Sequence, residues 1–194
     1  MTRVLILPGS LRGSAPDAAL AGAAARELAL LGHSVTQLSL ADYTLPVHDG
    51  ELDEGRGAPQ AAVQLARQFA AHDAALLCTP DSHCGLPPLL KNALDWAGHP
   101  TIGGPAAFGE DRVFALAAAS PNSDGGLAAL LALRRVLEGG LGALVIPEQL
   151  ALAAADTAFD DRGALADPER AAELRRLLEA MTRRARLLRR GLEG

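Results

Sequence analysis

Arg3-Val4-Leu5-Ile6-Leu7-Pro8-Gly9-Ser10-Leu11-Arg12-Gly13-Ser14-Ala15-Pro16-Asp17 is the stretch whose reading decides the fold. Its apolar run, Val4 to Leu7, has no polar alternation, which suits a strand buried on both faces. Gly9 and Gly13 let the backbone turn sharply into an alanine- and leucine-rich segment, and a helix starting there presents free N–H groups at its first turn. The reading is strand, loop, helix, with an anion site at the turn. Ser10 offers a hydroxyl and Arg12 a planar fork of donors, so phosphate is a more natural guest than a metal ion or nucleic acid. Arg12 alone equally suits a solvated surface residue. Ser14 equally suits a helix cap, with Asp17 as a capping-box partner and Pro16 in the first turn. Capping does not account for Ser10 and Arg12, which directly follow the first buried strand, where open α/β sheets hold their ligands.

Outward from this stretch the chain alternates strand-like and helix-like periods. Leu20, Ala24, Leu28 and Leu31 fall at helical spacing and line one stripe, and Gly32 ends that helix. A second strand is expected over about Ser34 to Leu40. An irregular stretch follows from Ala41 to Ala58, with Pro46, Gly50, Gly55 and a run of acids. A loop of that length overhangs a site or meets a partner subunit when it is functional, and a solvated acidic loop is the plainer alternative. Pro59 opens a helix with Val63, Ala66, Phe69 and Ala70 as its inward stripe, ahead of a third strand at Ala74 to Cys78. That strand breaks at Thr79-Pro80-Asp81-Ser82-His83-Cys84-Gly85, and a helix resumes through Pro87 to Trp96. Gly98 to Asp111 is a glycine- and proline-rich connection. Arg112 to Ala119 reads as the fourth strand, running into Ser120-Pro121-Asn122-Ser123-Asp124-Gly125-Gly126. A helix from about Leu127 to Glu138 leads to a fifth strand, Leu144-Val145-Ile146. The last helix begins at Asp167 or Pro168, with Leu174, Leu177, Leu178, Met181, Ala185 and Leu188 on one face and arginines on the other, a solvated face rather than a nucleic-acid stripe.

Five strands alternating with helices predict an α/β fold, a parallel sheet covered by helices on both faces. The order 2-1-3-4-5 places a switch point between strands one and three, where the phosphate loop and the long loops after strands three and four can meet. A length of 194 residues fits one domain, 1–194, with a real core. A net charge of −5 argues against a nucleic-acid partner. No segment approaches the roughly 18 consecutive apolar residues of a membrane span, and no signal peptide is evident, so the expected location is cytoplasmic. The two cysteines, Cys78 and Cys84, form no disulfide framework, and Cys78 sits in an apolar run as a small hydrophobe.

Three groups of residues carry a family likeness. Gly9-Ser10-Leu11-Arg12 with Asp17 and Leu20 is similar to a Gly-Ser-x-Arg-x-x-Ser-x-Asn-x-x-Leu phosphate loop. Thr79-Pro80-Asp81, followed by Pro87 and Lys91-Asn92-Ala93-Leu94-Asp95-Trp96, is similar to Thr-Pro-Glu-Tyr-Asn and Pro-Gly-x-Leu-Lys-Asn-Ala-x-Asp-Trp. Ser120-Pro121 with Gly125-Gly126 is the third, and Leu45-Pro46-Val47 sits where a Leu-Pro pair precedes a variable loop. Together they resemble the NADPH-dependent FMN reductase family of flavodoxin-like flavoproteins, which includes quinone and azo-dye reductases. The resemblance covers about residues 3 to 150, and the Lys91 to Trp96 block is its most specific part.

The resemblance implies a three-layer α/β/α flavodoxin-like fold that binds FMN and accepts hydride from NADPH, then reduces flavin, quinone or a similar small aromatic electron acceptor. The cofactor carries the chemistry, so no catalytic side chain and no metal is implied. By the same carry-over Ser10 and Arg12, with Asp17 at the family's asparagine, hold the phosphate. Pro80, Asp81, Ser82 and His83 border the ring on one side and Ser120, Pro121 and Asn122 on another. Lys91 and Asn92 lie behind that loop, as scaffold or as direct contacts. A homodimer or homotetramer is also implied.

The departures are specific. The family serine falls at Ala15, its asparagine at Asp17, its tyrosine at Ser82, its second asparagine at His83 and its glycine at Pro88. Two unit charges about 4 Å apart repel by about 4 kcal/mol at an effective dielectric of about 20, so an inward Asp17 weakens FMN binding. An outward Asp17, or one capping the backbone beside Ser14, spares the site. The alternative is therefore a scaffold without productive FMN, acting as a binding or interaction protein. Other chemistries lack support. His83 and Cys84 are adjacent, so their side chains diverge rather than form a nucleophile pair, and with Asp81 they lack metal-ligand spacing. Gly139-Gly140-Leu141-Gly142 runs into a strand where a dinucleotide fingerprint opens a helix, and Gly-x-Ser-x-Gly is missing.

Overall fold

The computed structural model describes residues 1–49, 57–99 and 107–192. Strand β1 (Arg3–Pro8) leads to α1 (Pro16–Leu30), β2 (Ser34–Gln37), α2 (Gln60–Ala70), β3 (Ala74–Pro80), α3 (Pro88–Ala97), β4 (Val113–Ala119), α4 (Leu127–Arg135), β5 (Leu144–Leu152) and α5 (Pro168–Leu192). The five strands form one parallel sheet in the order β2-β1-β3-β4-β5. This is the expected fold class, with the switch point between β1 and β3.

Both faces of the sheet are covered, which is why the central strands are apolar at every position. Val4, Ile6, Leu76, Cys78, Ala115 and Ala117 pack beneath α1 and α5. Leu5, Leu7, Leu77, Phe114, Leu116 and Ala118 pack on the opposite side, against α2, α3 and α4. There Phe69 lies 5.1 Å from Phe108 and 6.2 Å from Phe114 between ring centroids, an offset aromatic cluster at the heart of that layer.

Several boundaries and faces differ from the sequence expectation, among them β3, which pairs with β4 through Thr79 and Pro80 instead of breaking at Thr79. Strand β2 stops at Gln37, and Leu40–Asp42 form a turn of 3-10 helix with Ser39 accepting from the Ala41 N–H. The inward stripe of α2 is Ala62, Leu65, Ala66 and Phe69, whereas Val63 is half-buried and Ala70 is exposed. Helix α4 ends at Arg135 and passes into a π turn over Val136–Gly140. Strand β5 runs on past Ile146 to Leu152, because a register shift opposite Phe114 and Leu116 takes Pro147 out of the ladder. A proline that cannot donate is tolerated at such an irregularity. In α5 the stripe is as expected, with Leu188 half-buried at its end. Of the Ala41 to Ala58 and Gly98 to Asp111 stretches, residues 50–56 and 100–106 lie outside the described residues.

Candidate functional site

Three loops leave the sheet at the carboxyl ends of β1, β3 and β4 and meet above the switch point. The first is held to the end of β3 by the Gly9 N–H, which donates to the Cys78 carbonyl at 2.8 Å. A Cβ on Gly9 would stand 2.9 Å from Leu90 Cδ2 and 3.2 Å from Pro80 Cδ, so glycine is needed there for close approach.

Asp17 is fully buried in the first turn of α1. Its Oδ2 accepts the Ser10 N–H at 2.9 Å, and its Oδ1 lies 2.7 Å from the Ser10 hydroxyl. The side chain therefore points inward, under the loop, rather than outward or toward Ser14. Burial pushes its carboxyl above the usual carboxylate range, against the opposing pull of the Ser10 bonds. The cap position of α1 is Ala15, which supplies no side-chain hydrogen bond, so the capping role considered for Ser14 is not realised. Pro16 follows at the start of the helix, where its missing N–H costs nothing. Arg12 is exposed at the loop tip, and its guanidinium has no ion-pair partner among the described residues.

The second loop is a tight turn. Ser82 and Gly85 exchange N–H···O bonds of 3.0 Å in both directions, and His83 and Cys84 between them have φ of 52° and 61°. Positive φ at both central positions is the I′ pattern, which places His83 and Cys84 together on an exposed tip. Asp81 Oδ2 accepts from Asn122 Nδ2 at 3.3 Å, tying this loop to the third, while Asp81 Oδ1 is buried with no partner among the described residues. Ser120 is 2 % exposed and its hydroxyl accepts the Asn122 N–H at 3.2 Å, whereas Pro121 and Asn122 are exposed. Gly126, at φ +80°, leaves room beneath Asp81 and Ser120, whose Cβ atoms would each be 3.5 Å from an added Cβ.

Helix α3 holds a fourth segment. Trp96 Nε1 and Asn92 Nδ2 both donate to the Pro46 carbonyl, at 2.8 and 2.9 Å, and Asn92 Oδ1 accepts the His48 N–H at 2.7 Å. The His48 ring stands edge-on to Trp96 at 4.8 Å. Asn92 is thus scaffold, and Lys91 pairs with Asp95 on the outer side at 2.6 Å. This clamp was visible in the sequence only as two separate motifs, Leu45-Pro46 and the Lys91 to Trp96 block.

The sites therefore gather Ser10, Arg12 and Asp17 in one loop, with Pro80, Asp81, Ser82, His83, Ser120, Pro121 and Asn122 beside them. An uncapped helix N-terminus with a free arginine suits a phosphate, and the unpartnered Asp81 Oδ1 suits a ligand N–H or hydroxyl. Directly behind Ser10, the ionised form of Asp17 does not suit an anion.

Comparisons with known proteins give the family. The family model described as NADPH-dependent FMN reductase matches residues 2–157. An NAD(P)H-dependent FMN reductase of Pseudomonas aeruginosa is 32% identical over 190 residues, covering 96% of this chain and 97% of that protein. A quinone reductase of Pseudomonas putida is 30% identical over 169 residues, covering 86% of each chain. Among solved structures, a flavoenzyme NAD(P)H:(acceptor) oxidoreductase from Paracoccus denitrificans superposes with a TM-score of 0.77 at 24% identity, over 96% of this chain and 98% of that one, a likeness of fold. The chain belongs to the NADPH-dependent FMN reductase family of oxidoreductases.

Proposed function

We propose that the 9–17, 80–85 and 120–126 loops together hold FMN, and that the protein uses NAD(P)H to reduce flavins, quinones or similar small aromatic acceptors. The observation that carries the reading is the convergence of those loops on an uncapped, arginine-flanked helix N-terminus at the switch point, in a chain of this family. Bound FMN supplies the hydride relay between nicotinamide and acceptor. The protein's part is to bind and orient. Arg12 and the first N–H groups of α1 neutralise the phosphate. Ser10 sits against it with its hydroxyl steered by Asp17. Pro80, Asp81, Ser82 and His83 border one side of the ring, and Pro121 and Asn122 another, with Ser120 holding Asn122 from beneath.

Full-length likeness to FMN and quinone reductases favours this enzyme over a scaffold without productive FMN. The test is colour and turnover. Protein purified with added FMN stays yellow after desalting and oxidises NADPH with a quinone faster than free FMN does. Colourless, inert protein sinks the reading. No helix among the described residues is long and apolar enough to cross a membrane. The working form we propose is a cytoplasmic homodimer or homotetramer, a reading supported by family resemblance alone. Sedimentation velocity showing a monomer at micromolar concentration overturns it.

A further inference from the structure

We propose that Asp17 enters the FMN complex as a neutral carboxylic acid, so that binding the flavin phosphate takes up a proton from solvent. This rests on the FMN reading above and adds to it a role for a residue that departs from the family pattern.

The argument is hydrogen-bond bookkeeping at Ser10. A serine hydroxyl has one hydrogen. While Asp17 is ionised, that hydrogen is committed to Oδ1 at 2.7 Å, and the Ser10 N–H is committed to Oδ2 at 2.9 Å. Ser10 then turns only lone pairs toward a phosphate oxygen, with a buried negative charge directly behind it. A proton on Oδ1 reverses the sense of the 2.7 Å bond. The carboxyl donates to Ser10 Oγ, Oδ2 still accepts the Ser10 N–H, and the hydroxyl hydrogen is released to donate to the phosphate. One proton joins the carboxylate and no covalent bond to the ligand forms; the phosphate then competes for the hydroxyl hydrogen only with the Arg12 carbonyl, which lies 3.5 Å from Ser10 Oγ. An asparagine at this position could make the same pattern without a proton, its NH2 donating to Oγ and its carbonyl accepting the N–H.

Burial favours the neutral form and outweighs the Ser10 hydroxyl and the backbone N–H groups of Ser10, Asp17 and Gly9, which favour the ionised one. Asp17 is fully buried, and no ion pair with Arg12, the cation of its own loop, forms among the described residues. Beneath α1, strand β1 presents Val4 and Ile6, β2 the half-buried Val35 and β4 Ala117 and Ala119, all apolar. Strand β3 presents Cys78, a buried thiol that burial and the nearby Asp17 push well above its ordinary range and keep neutral. The charged pair that α5 brings to α1, Arg175 with Glu27, lies toward the other end of the helix. Burial already lifts the Asp17 carboxyl, and an arriving dianion lifts it further.

The test compares the wild-type protein with Asp17→Asn, using FMN and riboflavin as probes. Calorimetry in two buffers of different ionisation enthalpy at about pH 7, where free phosphate monoester is mostly the dianion, counts the protons. The wild type takes up about 0.5 to 1 more proton per FMN than Asp17→Asn does. Its Kd rises by up to about tenfold per pH unit above neutrality, as linkage to one proton requires. Asp17→Asn binds FMN about tenfold or more tightly than wild type at about pH 8, and its Kd is flatter with pH. Riboflavin, which lacks the phosphate, binds both proteins alike with no extra proton. FMN binding to wild type without excess uptake and with the same pH profile as Asp17→Asn overturns the inference while leaving the FMN site standing. Equal uptake with riboflavin also overturns it, because the proton then goes elsewhere. Failure of both proteins to bind FMN overturns the site reading itself. The wild-type measurements stand even if the variant folds poorly.

Discussion

At the residue scale, the proposed site turns on Arg12 in the first loop and Asp17 at the start of α1. Arg12 is exposed and without an ion-pair partner among the described residues, so its removal costs the fold little and the ligand much. Arg12→Ala lowers FMN affinity by about 1.5–3 kcal/mol, the usual worth of a hydrogen bond to a charged group, in a flavin-fluorescence titration. Unchanged affinity removes Arg12 from the phosphate site. Asp17 acts on stability as well as on binding. Its folded carboxyl titrates above the ordinary range, chiefly through burial, so the folded state prefers the protonated form. Its contribution is complete at pH values below the ordinary carboxylate range and is lost as pH rises through the raised folded value. Asp17→Asn, which keeps the bonds and drops the charge, is therefore more stable than wild type at neutral pH, and the gap closes on acidification. Asp17→Ala instead strands the Ser10 N–H and hydroxyl and loses about 1–3 kcal/mol. Chemical denaturation of both variants at about pH 4 and about pH 8 checks the sign. The identity of residue 17 was legible as a departure from the family loop, but its inward direction was not, because a local pattern equally allowed a partnership with Ser14.

At the element scale, the glycines divide into those that the fold requires and those that it does not. Gly125 has φ +65°, and a Cβ there would lie 2.7 Å from the Ala151 carbonyl carbon and 2.9 Å from the Ala153 N. The turn into α4 is thus wedged against the end of β5, and Gly125→Ala combines a left-handed backbone penalty with a backbone clash. It costs more than about 2 kcal/mol in thermal or urea unfolding. Gly13→Ala meets nothing within 4 Å and changes stability by less than about 0.5 kcal/mol. A large loss at Gly13 would contradict this division. Read from the sequence, Gly13 is a turn former and Gly125 belongs only to the loop after the fourth strand. Only the packing of β5, which runs past Pro147 because the ladder shifts register, separates them. The turn at Ser82 to Gly85 follows the same rule, since nothing in the residue types of His83 and Cys84 announces positive φ, and the reciprocal bonds at its base impose it.

At the scale of the whole molecule, two carboxylates of opposite pH dependence sit at opposite ends of the central strands. The site lies at the carboxyl ends of the strands, while at the other end Asp73 accepts from the Arg3 N–H at 2.8 Å and pairs with its guanidinium at 2.9 Å, joining the starts of β1 and β3. Burial works against ionisation of Asp73, but the Arg3 bonds and the charges of Arg3 and Arg189 outweigh it and hold the carboxyl below its usual range. Its stabilisation is present above the ordinary carboxylate range and is lost as pH falls through the depressed folded value. Asp73→Asn costs about 1–2 kcal/mol at neutral pH, limited by solvent screening of the half-exposed arginine, and the difference shrinks toward about pH 3. A constant gap across that range would show that charge is not involved. This dependence is opposite in sign to that of Asp17, so the two carboxylates can be told apart in one pair of titrations. The sequence by itself determined the alternation of buried strands with helices and the glycine-bearing turn from β1 into α1, and the motifs pointed to the family. These are properties of neighbouring residues, which share a period or a turn. The tertiary structure alone decided that Asp17 faces inward onto Ser10, that Asn92 and Trp96 hold Pro46, and that Asp81 and Asn122 join two loops. Those contacts depend on the packing of loops and helices around the sheet, and several link residues forty or more positions apart.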